Sequence, residues 1–458
     1  MARAREIAAL ALVVVAAATA LPQAGWNAAA HFSLVEALAD GTPRIDHHLN
    51  QSGDIAWIDG HFYAAKSPGL AVISLPLYLV LDAFDGFPPK QEATSGPPGA
   101  QAVPERAIWR IDWVVLVSFF ALLLLVRWAV DRFYRGAGVV VAVMLGLGTM
   151  LLPFAVSYFS HVPSTMLGFA AFAVLLYERA RHSPLTVFAA GVLAGLAVFV
   201  ELPLAVVAIC VGIYAAVERP RLRRALAYGG GLLVGVLPLF AYNAWAFGSP
   251  FRNGYSNAVL ELGATGHDVI GANDIGFFGL THPRAGVLVD LLFSERGLFV
   301  LMPVTLAAVV GLPLLARSAR REAFLVGGLA LAVLLYNAAY YLPFGGGSPG
   351  PRFLVPILPF LGLPLAAALV RWPLIVLATF AVSAFWMISA TTAGPLLAED
   401  LSPASWVGDI VDDHELANSV FLNGRSAVLL LVVVALAAVA LAAPNFATLA
   451  RRARARES

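Results

Sequence analysis

Residues 27–70 read NAAAHFSLVEALADGTPRIDHHLNQSGDIAWIDGHFYAAKSPGL. The first part, 27–39, is helix-like: Leu34 and Leu38 repeat at i, i+4 with Val35 beside them, and Asp40-Gly41 ends the run. Asn27 and His31, also i, i+4, share another face. Such a helix can lie in the plane of a membrane interface. Thr42-Pro43 then begins an extended part in which Asp46, Asp54 and Asp59 alternate with His47, His48 and His61. Asp59-Gly60 is a turn signal, and a hairpin there folds Asp54 back towards Tyr63 and Lys66. Lys66-Ser67-Pro68-Gly69 leads into an apolar run over 68–84. The chain holds only two lysines, Lys66 and Lys90, so a lysine at the mouth of that run stands out.

The sequence around this segment is built for a bilayer. Of 458 residues, 60% are hydrophobic and 12% charged, with a mean hydropathy of +0.81. Soluble chains carry about a quarter charged residues, so a soluble enzyme, a nucleic-acid binder and a disordered chain are excluded. The single cysteine, Cys210, excludes disulfides and cysteine-based metal sites. Apolar runs fall at about 7–25, 107–126, 138–156, 162–178, 185–200, 203–217, 225–247, 298–316, 323–342, 353–370, 373–393 and 426–446. The expected fold is therefore an all-α polytopic membrane protein of about 12 transmembrane helices, in one domain over 1–458. Glu201-Leu202-Pro203 breaks the long run 185–217, which makes Glu201 a turn residue. No internal repeat is visible.

Charge gives the orientation. If the twelve runs alternate across the membrane, nineteen basic and six acidic residues fall on one face, and ten basic and 22 acidic on the other. The positive-inside rule places the arginine-rich face, with both termini, in the cytoplasm. The outer face then holds the long segments 26–106, 248–297 and 394–424. The run 68–84 is short and broken by Pro76, and counting it as a span would break the alternation. It reads as a juxtamembrane or re-entrant helix on the outer face. Residues 86–104, rich in Pro, Gly and Ser, read as a flap or linker. A cleaved signal peptide is the competing reading of the first run and leaves the loops on the same faces.

The order of first span, outer helix, Asp…Gly60-His61-Phe62-Tyr63-x-x-Lys66-Ser67-Pro68-Gly69 and short apolar helix resembles the start of the GT-C-fold integral-membrane glycosyltransferases. These use polyprenyl-phosphate sugars and include protein O-mannosyltransferases and lipid A aminoarabinose transferases. Further resemblance lies in Phe247-Gly248-Ser249-Pro250 with Gly254-Tyr255, in Phe293-Ser294-Glu295-Arg296-Gly297-Leu298-Phe299, and in Gly345 to Phe353. The family's tyrosine and Lys-Pro-Pro-type turn correspond to Tyr63, Lys66 and Pro68. Two departures stand out. Asn27-Ala28 replaces the acidic pair that many members carry after the first span. The segment Ser157-Tyr158-Phe159-Ser160-His161 lacks a carboxylate found in many second outer loops, which places a family-type metal site in doubt.

The resemblance implies a glycosyltransferase, hexosyl- or pentosyl-, of the cell envelope. Its donor is a polyprenyl-phosphate sugar, its acceptor a glycolipid, glycan or protein, and its active site lies on the outer face of a bacterial cytoplasmic membrane. That chemistry needs a base for the acceptor hydroxyl, cations for the leaving phosphate and an apolar groove for the prenyl chain. Asp54 and then Asp46 are the candidate bases, since capping and turn roles explain Asp40 and Asp59. Lys66, Arg352 and Arg296 are the candidate phosphate ligands. The two arginines sit in glycine-containing turns on the face where basic residues are disfavoured. Tyr63, His61, His161 and Glu201 are candidate substrate-binding residues. No particular cofactor is indicated, and the His/Asp mix could hold a divalent metal. Plainer readings stand beside these: a snorkelling lysine, interfacial arginines and histidines, and solvated loop acids. The alternative function is a transporter or flippase of lipid-linked sugars, but that needs ionisable residues at mid-membrane, and here the charges collect at the outer ends.

Overall fold

A computed structural model describes residues 2–21, 25–47, 52–87, 103–181, 183–259, 279–393, 402–412, 416, 418–419 and 422–455. Most of the suggested flap, much of the outer segment 248–297 and part of 394–424 lie outside the described residues. The helices in the first half are α1 (Ala2–Thr19), α2 (Trp26–Ala39), α3 (Gly69–Asp85), α4 (Glu105–Phe133), α5 (Gly138–Gly148), α6 (Leu151–Phe154), α7 (His161–Glu178), α8 (Pro184–Val200), α9 (Ala205–Val217) and α10 (Arg221–Phe247). The second half adds α11 (Ala285–Phe293), α12 (Leu298–Leu301), α13 (Pro303–Ser318), α14 (Arg320–Ala339), α15 (Leu358–Arg371), α16 (Pro373–Thr392), α17 (Pro403–Asp412) and α18 (Arg425–Arg454). Each of the twelve apolar runs falls on one or two of these helices.

Among the described residues six helices are long and apolar enough to cross a membrane, and a seventh candidate is the pair Ala285–Leu301 and Pro303–Ser318, bent by 96°. With 60% hydrophobic residues, this makes a multi-pass membrane protein. Glycine sets the closest helix pairing. Gly191 and Gly195 of α8 face Gly231 and Gly235 of α10, and a Cβ at any of the four would run into the partner's backbone. Small residues four apart let two helices meet backbone to backbone, where dispersion contacts are densest.

The ionic contacts sort into two ends. At the arginine-rich end Glu6 pairs with Arg127 and accepts a hydrogen bond from Asn445 Nδ2 at 2.9 Å, Arg224 meets Glu178 at 2.8 Å, and Arg179 meets Glu322 at 2.6 Å. Arg224 and Glu178 are both buried, so removing one of them strands a charge and costs about 3–5 kcal/mol. The acidic loop, Glu201 and Arg352 gather at the opposite end.

The segment between α2 and α3 is ordered by a hairpin. Besides β1 (Ala20–Leu21), which pairs antiparallel with Asn418–Ser419, β2 (Ile55–Ile58) pairs antiparallel with β3 (His61–Ala64) in the register Ile55↔Ala64 to Ile58↔His61. Asp59 and Gly60 both take positive φ, 51° and 88°, as a two-residue hairpin turn matched to strand twist requires. A short strand at Ala258–Val259 adds to the free edge of β2, so the segment after α10 is stitched to the hairpin. α3 packs one face inward through Gly69, Leu70, Ala71, Ser74 and Tyr78, while Val72, Ile73, Leu79, Val80 and Phe84 are exposed. That exposed face is apolar along a 17-residue helix with Pro76 inside.

Candidate active site

Asp54 stands at the open end of the hairpin. Its backbone N–H donates to Ser52 Oγ at 2.9 Å, Ser52 Oγ donates to the carbonyl of Trp26 at 2.6 Å, and its carbonyl accepts from Ala65 N–H at 3.0 Å. The hairpin returns the chain beside it, and Lys66 Nζ lies 2.8 Å from Asp54 Oδ2. The lysine side chain is only 11% exposed. Burial works to raise the Asp54 carboxyl, but Lys66 and, further off, Arg352 hold it below its ordinary value. Burial pushes the Lys66 ammonium down, Asp54 pulls it back up, and Arg352 adds to the downward push.

A second pair lies across the site. Glu201 occupies the break between α8 and a 3-10 turn at Leu202–Leu204, as the Glu-Leu-Pro sequence implies. Its Oε1 is 2.6 Å from His161 Nδ1, and its Oε2 accepts from Ser164 Oγ at 2.8 Å. Burial works to raise the Glu201 carboxyl, whereas His161, Ser164 and Arg352 bring it below its ordinary value. The two pairs are held together where α3 begins: Gly69 lies so close to the backbone of Phe199 and Val200 that a side chain there would collide with it. The N–H of Ser67 also donates to the Tyr255 hydroxyl at 3.2 Å, so the chain after α10 reaches the residue next to Lys66.

Arg352 opens the 3-10 turn Arg352–Ile357. Its guanidinium carbon lies 5.2 Å from the Phe353 ring centroid and 5.9 Å from that of Phe159. The His161 ring packs edge-on against Phe353 and Phe154 and tilted against Phe159. Tyr340 meets Phe353 edge-on at 5.3 Å and Tyr341 at 4.6 Å. Two cations and two carboxylates thus face a wall of aromatic rings, an arrangement that shields charge from water while leaving donors for an anion. Arg352 Nε is buried without a hydrogen-bond partner.

The structure brings Asp54, Lys66, Arg352, His161 and Glu201 together. It engages the other four candidates differently. Asp46 Oδ2 is 2.9 Å from His61 Nδ1, and its Oδ1 accepts from Phe62 N–H at 2.7 Å, so Asp46 and His61 brace the hairpin. Tyr63 is buried edge-on against Phe247. Arg296 donates to the carbonyls of Gly346 at 3.0 Å and Ser348 at 2.7 Å, and so shapes the glycine-rich turn leading to Arg352.

Three groups were not singled out from sequence. His31 on α2 is buried, with both ring nitrogens unpartnered, and burial together with Lys66 pushes its imidazole down to about 3. Ser164 is the second ligand of Glu201. Asp112 on α4 is buried and accepts the N–H of Tyr158, whose φ is +49°. The spacing of Asn27 and His31 was a signal for the first of these. A lone serine in an apolar helix gives none. Among the described residues no group of three His, Cys, Asp or Glu side chains is placed to hold a metal ion. With Asn27 after the first helix and no carboxylate between Ser157 and His161, the described donors do not fit such a site.

No family model matches this sequence, and no curated protein sequence does. Similarity appears in three dimensions. The chain superposes on ArnT from Cupriavidus metallidurans bound to undecaprenyl phosphate with a TM-score of 0.51, at 16% identity, covering 97% of this chain and 73% of that one. For the same protein in the apo state the values are 0.50, 15%, 97% and 75%. The oligosaccharyltransferase of Archaeoglobus fulgidus in complex with zinc and sulfate superposes with a TM-score of 0.49 at 14% identity, covering 90% of this chain and 53% of that one. The chain therefore has a GT-C-like fold.

Proposed function

We propose that the protein is a membrane glycosyltransferase that moves a sugar from a polyprenyl-phosphate donor to a hydroxyl on a glycolipid, glycan or protein. The observation that carries this reading is the meeting of Lys66 and Arg352, 286 residues apart in sequence, in one shielded cluster with Asp54 and Glu201. Two cations in a low-dielectric pocket suit a phosphate that gains charge as its bond to the anomeric carbon breaks. Asp54 takes the acceptor proton, and attack from the face opposite the phosphate inverts the anomeric centre. The apolar outer face of α3 supplies a place where a prenyl chain can reach the cluster from the bilayer. That ArnT is a GT-C protein crystallised with undecaprenyl phosphate adds weight to a lipid-phosphate donor.

In the same reading the twelve apolar helices all span, both termini are cytoplasmic, and the cluster faces outward from a bacterial cytoplasmic membrane. The test is a reconstituted assay with radiolabelled polyprenyl-phosphate sugars, scored by release of polyprenyl phosphate. Movement of intact lipid-linked sugar across the bilayer without release would replace this reading with a flippase.

A further inference from the structure

At the arginine-rich end the molecule carries a cleft that the reaction just described does not use. It opens between the end of α7, the start of α8 and the start of α10, and its lining includes Glu178, Val187, Arg219, Arg223 and Arg224. Its empty space, the open mouth included, is about 310 Å³, enough to admit a phosphodiester group.

Charge in this cleft is unbalanced. Glu178 and Arg224 are buried and neutralise each other, with Arg224 Nη1 lying 2.8 Å from each carboxylate oxygen of Glu178. Arg224 Nε donates to the carbonyl of Ala215 at 2.9 Å. The acids close by are engaged elsewhere: Glu218 stands 3.7 to 3.9 Å from Arg179, Arg224 and Arg321, and Glu322 meets Arg179 and accepts from the Tyr214 hydroxyl. Arg219 and Arg223 are exposed and have no hydrogen-bond or acidic partner for their side chains among the described residues. Two positive charges are left over. An arginine that merely snorkels from a helix end stands alone; here two share one cleft, and the third arginine of its lining already has its carboxylate.

The surface beside these charges is apolar and uncovered. Leu185, in the first turn of α8, is 75% exposed. On α10, Leu222, Leu226, Leu233 and Leu237 are exposed by 73%, 66%, 66% and 55%. Their spacing places them in one row along the helix. α10 is long and apolar enough to cross a membrane, and most of it is uncovered by protein. The row therefore runs from the two arginines into the hydrocarbon.

We propose that this cleft binds an anionic phospholipid. Arg219 and Arg223 hold the phosphodiester, for which their planar forks are matched, and an acyl chain lies along the leucine row of α10. A basic recess between membrane helices is the setting in which acidic lipid headgroups are held. The cleft lies at the opposite end of the helices from Lys66 and Arg352, so this inference does not depend on the glycosyltransferase reading.

The test is native mass spectrometry of the full-length protein in a neutral detergent. The probe is dioleoyl phosphatidylglycerol, with zwitterionic dioleoyl phosphatidylcholine as its counterpart and inorganic phosphate as a soluble competitor. Wild-type protein should retain one phosphatidylglycerol about tenfold more strongly than phosphatidylcholine, the scale expected of two arginines at a headgroup. R219Q/R223Q removes both free charges, leaves the Glu178–Arg224 pair in place, and should lose that preference. R219K/R223K should keep most of it. R221Q, at an exposed arginine outside the lining, should keep it too. Phosphatidylglycerol should also raise the melting temperature of wild type and R221Q but not of R219Q/R223Q. If the double variant does not fold, R219Q and R223Q singly carry the test, each losing part of the preference. A preference unchanged in the glutamine variants, or lost equally in R221Q, overturns the inference, since the cleft is then unused or only bulk charge is read. Displacement of the lipid by inorganic phosphate also overturns it, in favour of a soluble anion.

Discussion

Lys66 Nζ and Asp54 Oδ2 stand 2.8 Å apart across a hairpin whose turn, Asp59-Gly60, lies midway between them in sequence. The pair is local in sequence; the Lys66 side chain is 11% exposed and that of Asp54 36%, and the charges of both are shifted from their ordinary ranges. Burial lowers Lys66 from 10.5, and Asp54 only partly restores it. As pH rises, Lys66 therefore loses its proton before an ordinary lysine would. Binding of a prenyl methyl phosphodiester should fall on the alkaline side below the usual lysine range, and Lys66→Arg should move that fall upward, since guanidinium stays charged. An alkaline limb at the ordinary lysine value, unchanged by Lys66→Arg, removes Lys66 from the site. On the acid side Asp54 is depressed in the folded state. Its contribution to stability is complete above the unfolded value of about 3.9 and is lost only as pH falls through its lower folded value. Mild acid should leave the pair intact.

Arg352 is the cation whose donors are least used by the protein, with Nε buried and unpartnered. Arg352→Ala should weaken phosphodiester binding by about 1.5–3 kcal/mol, the scale of a lost hydrogen bond to a charged group. Arg352→Lys should recover part of this, because the charge returns without the planar fork. Arg296→Ala should act more weakly, through the glycine-rich turn whose carbonyls it holds. Equal affinity in wild type and Arg352→Ala, with protein correctly inserted, would make Arg352 an interfacial anchor.

Much of this site was legible in sequence because its parts are marked locally. Lys66 was conspicuous through scarcity, Asp54 was placed beside it by the Asp-Gly turn, and Glu201 was flagged by the proline that breaks its apolar run. The positive-inside rule picked out Arg352 and Arg296 equally. Only the three-dimensional path of residues 345–352 separates them, since Arg296 is held by the carbonyls of Gly346 and Ser348 and by the Phe344 ring, whereas the charge of Arg352 is felt by Asp54, Lys66 and Glu201. Asp54 ranked ahead of Asp46 through the Asp59-Gly60 turn alone; that Asp46 braces His61 and Phe62 depends on the register of β2 against β3, because a one-residue slip exchanges the faces of a strand. His31 shows in sequence only as the i, i+4 partner of Asn27, and Ser164 not at all, because a buried polar group on a helix takes its meaning from what packs opposite. The helices themselves were legible run by run, since a bilayer demands long apolar stretches.

Sidedness has its own test. In a Cys210→Ser background, cysteine at Phe251, 80% exposed, or at Trp57, 36% exposed, should react with a membrane-impermeant thiol reagent in intact cells. Cysteine at Arg223, on the arginine-rich end, should react only after the membrane is opened. Labelling of residues 128–136 from outside would make 68–84 a full span and reverse the assignment of every later helix.

The base is the sharpest question the site poses. Asp54 is kept ionised by its neighbours, its side chain is partly exposed, and its backbone is fixed by the Ser52 and Ala65 hydrogen bonds, so the carboxylate stands ready to receive a proton. The Lys66 pairing that keeps it charged also makes it a weaker base, and bound phosphate, by drawing Lys66 towards itself, would free the carboxylate when it is needed. Asp54→Asn preserves shape and removes the charge. It should fold and bind the phosphodiester, with turnover down by about a hundredfold or more, the usual scale for a missing general base. Asp46→Asn disturbs the contacts to His61 and Phe62 instead, so it should loosen the hairpin towards protease while the surviving folded protein turns over within a few-fold of wild type. Wild-type turnover in Asp54→Asn, measured as polyprenyl phosphate released per folded molecule, would show that the proton leaves by another route. Loss of turnover in Asp46→Asn with the hairpin intact would transfer the role to Asp46.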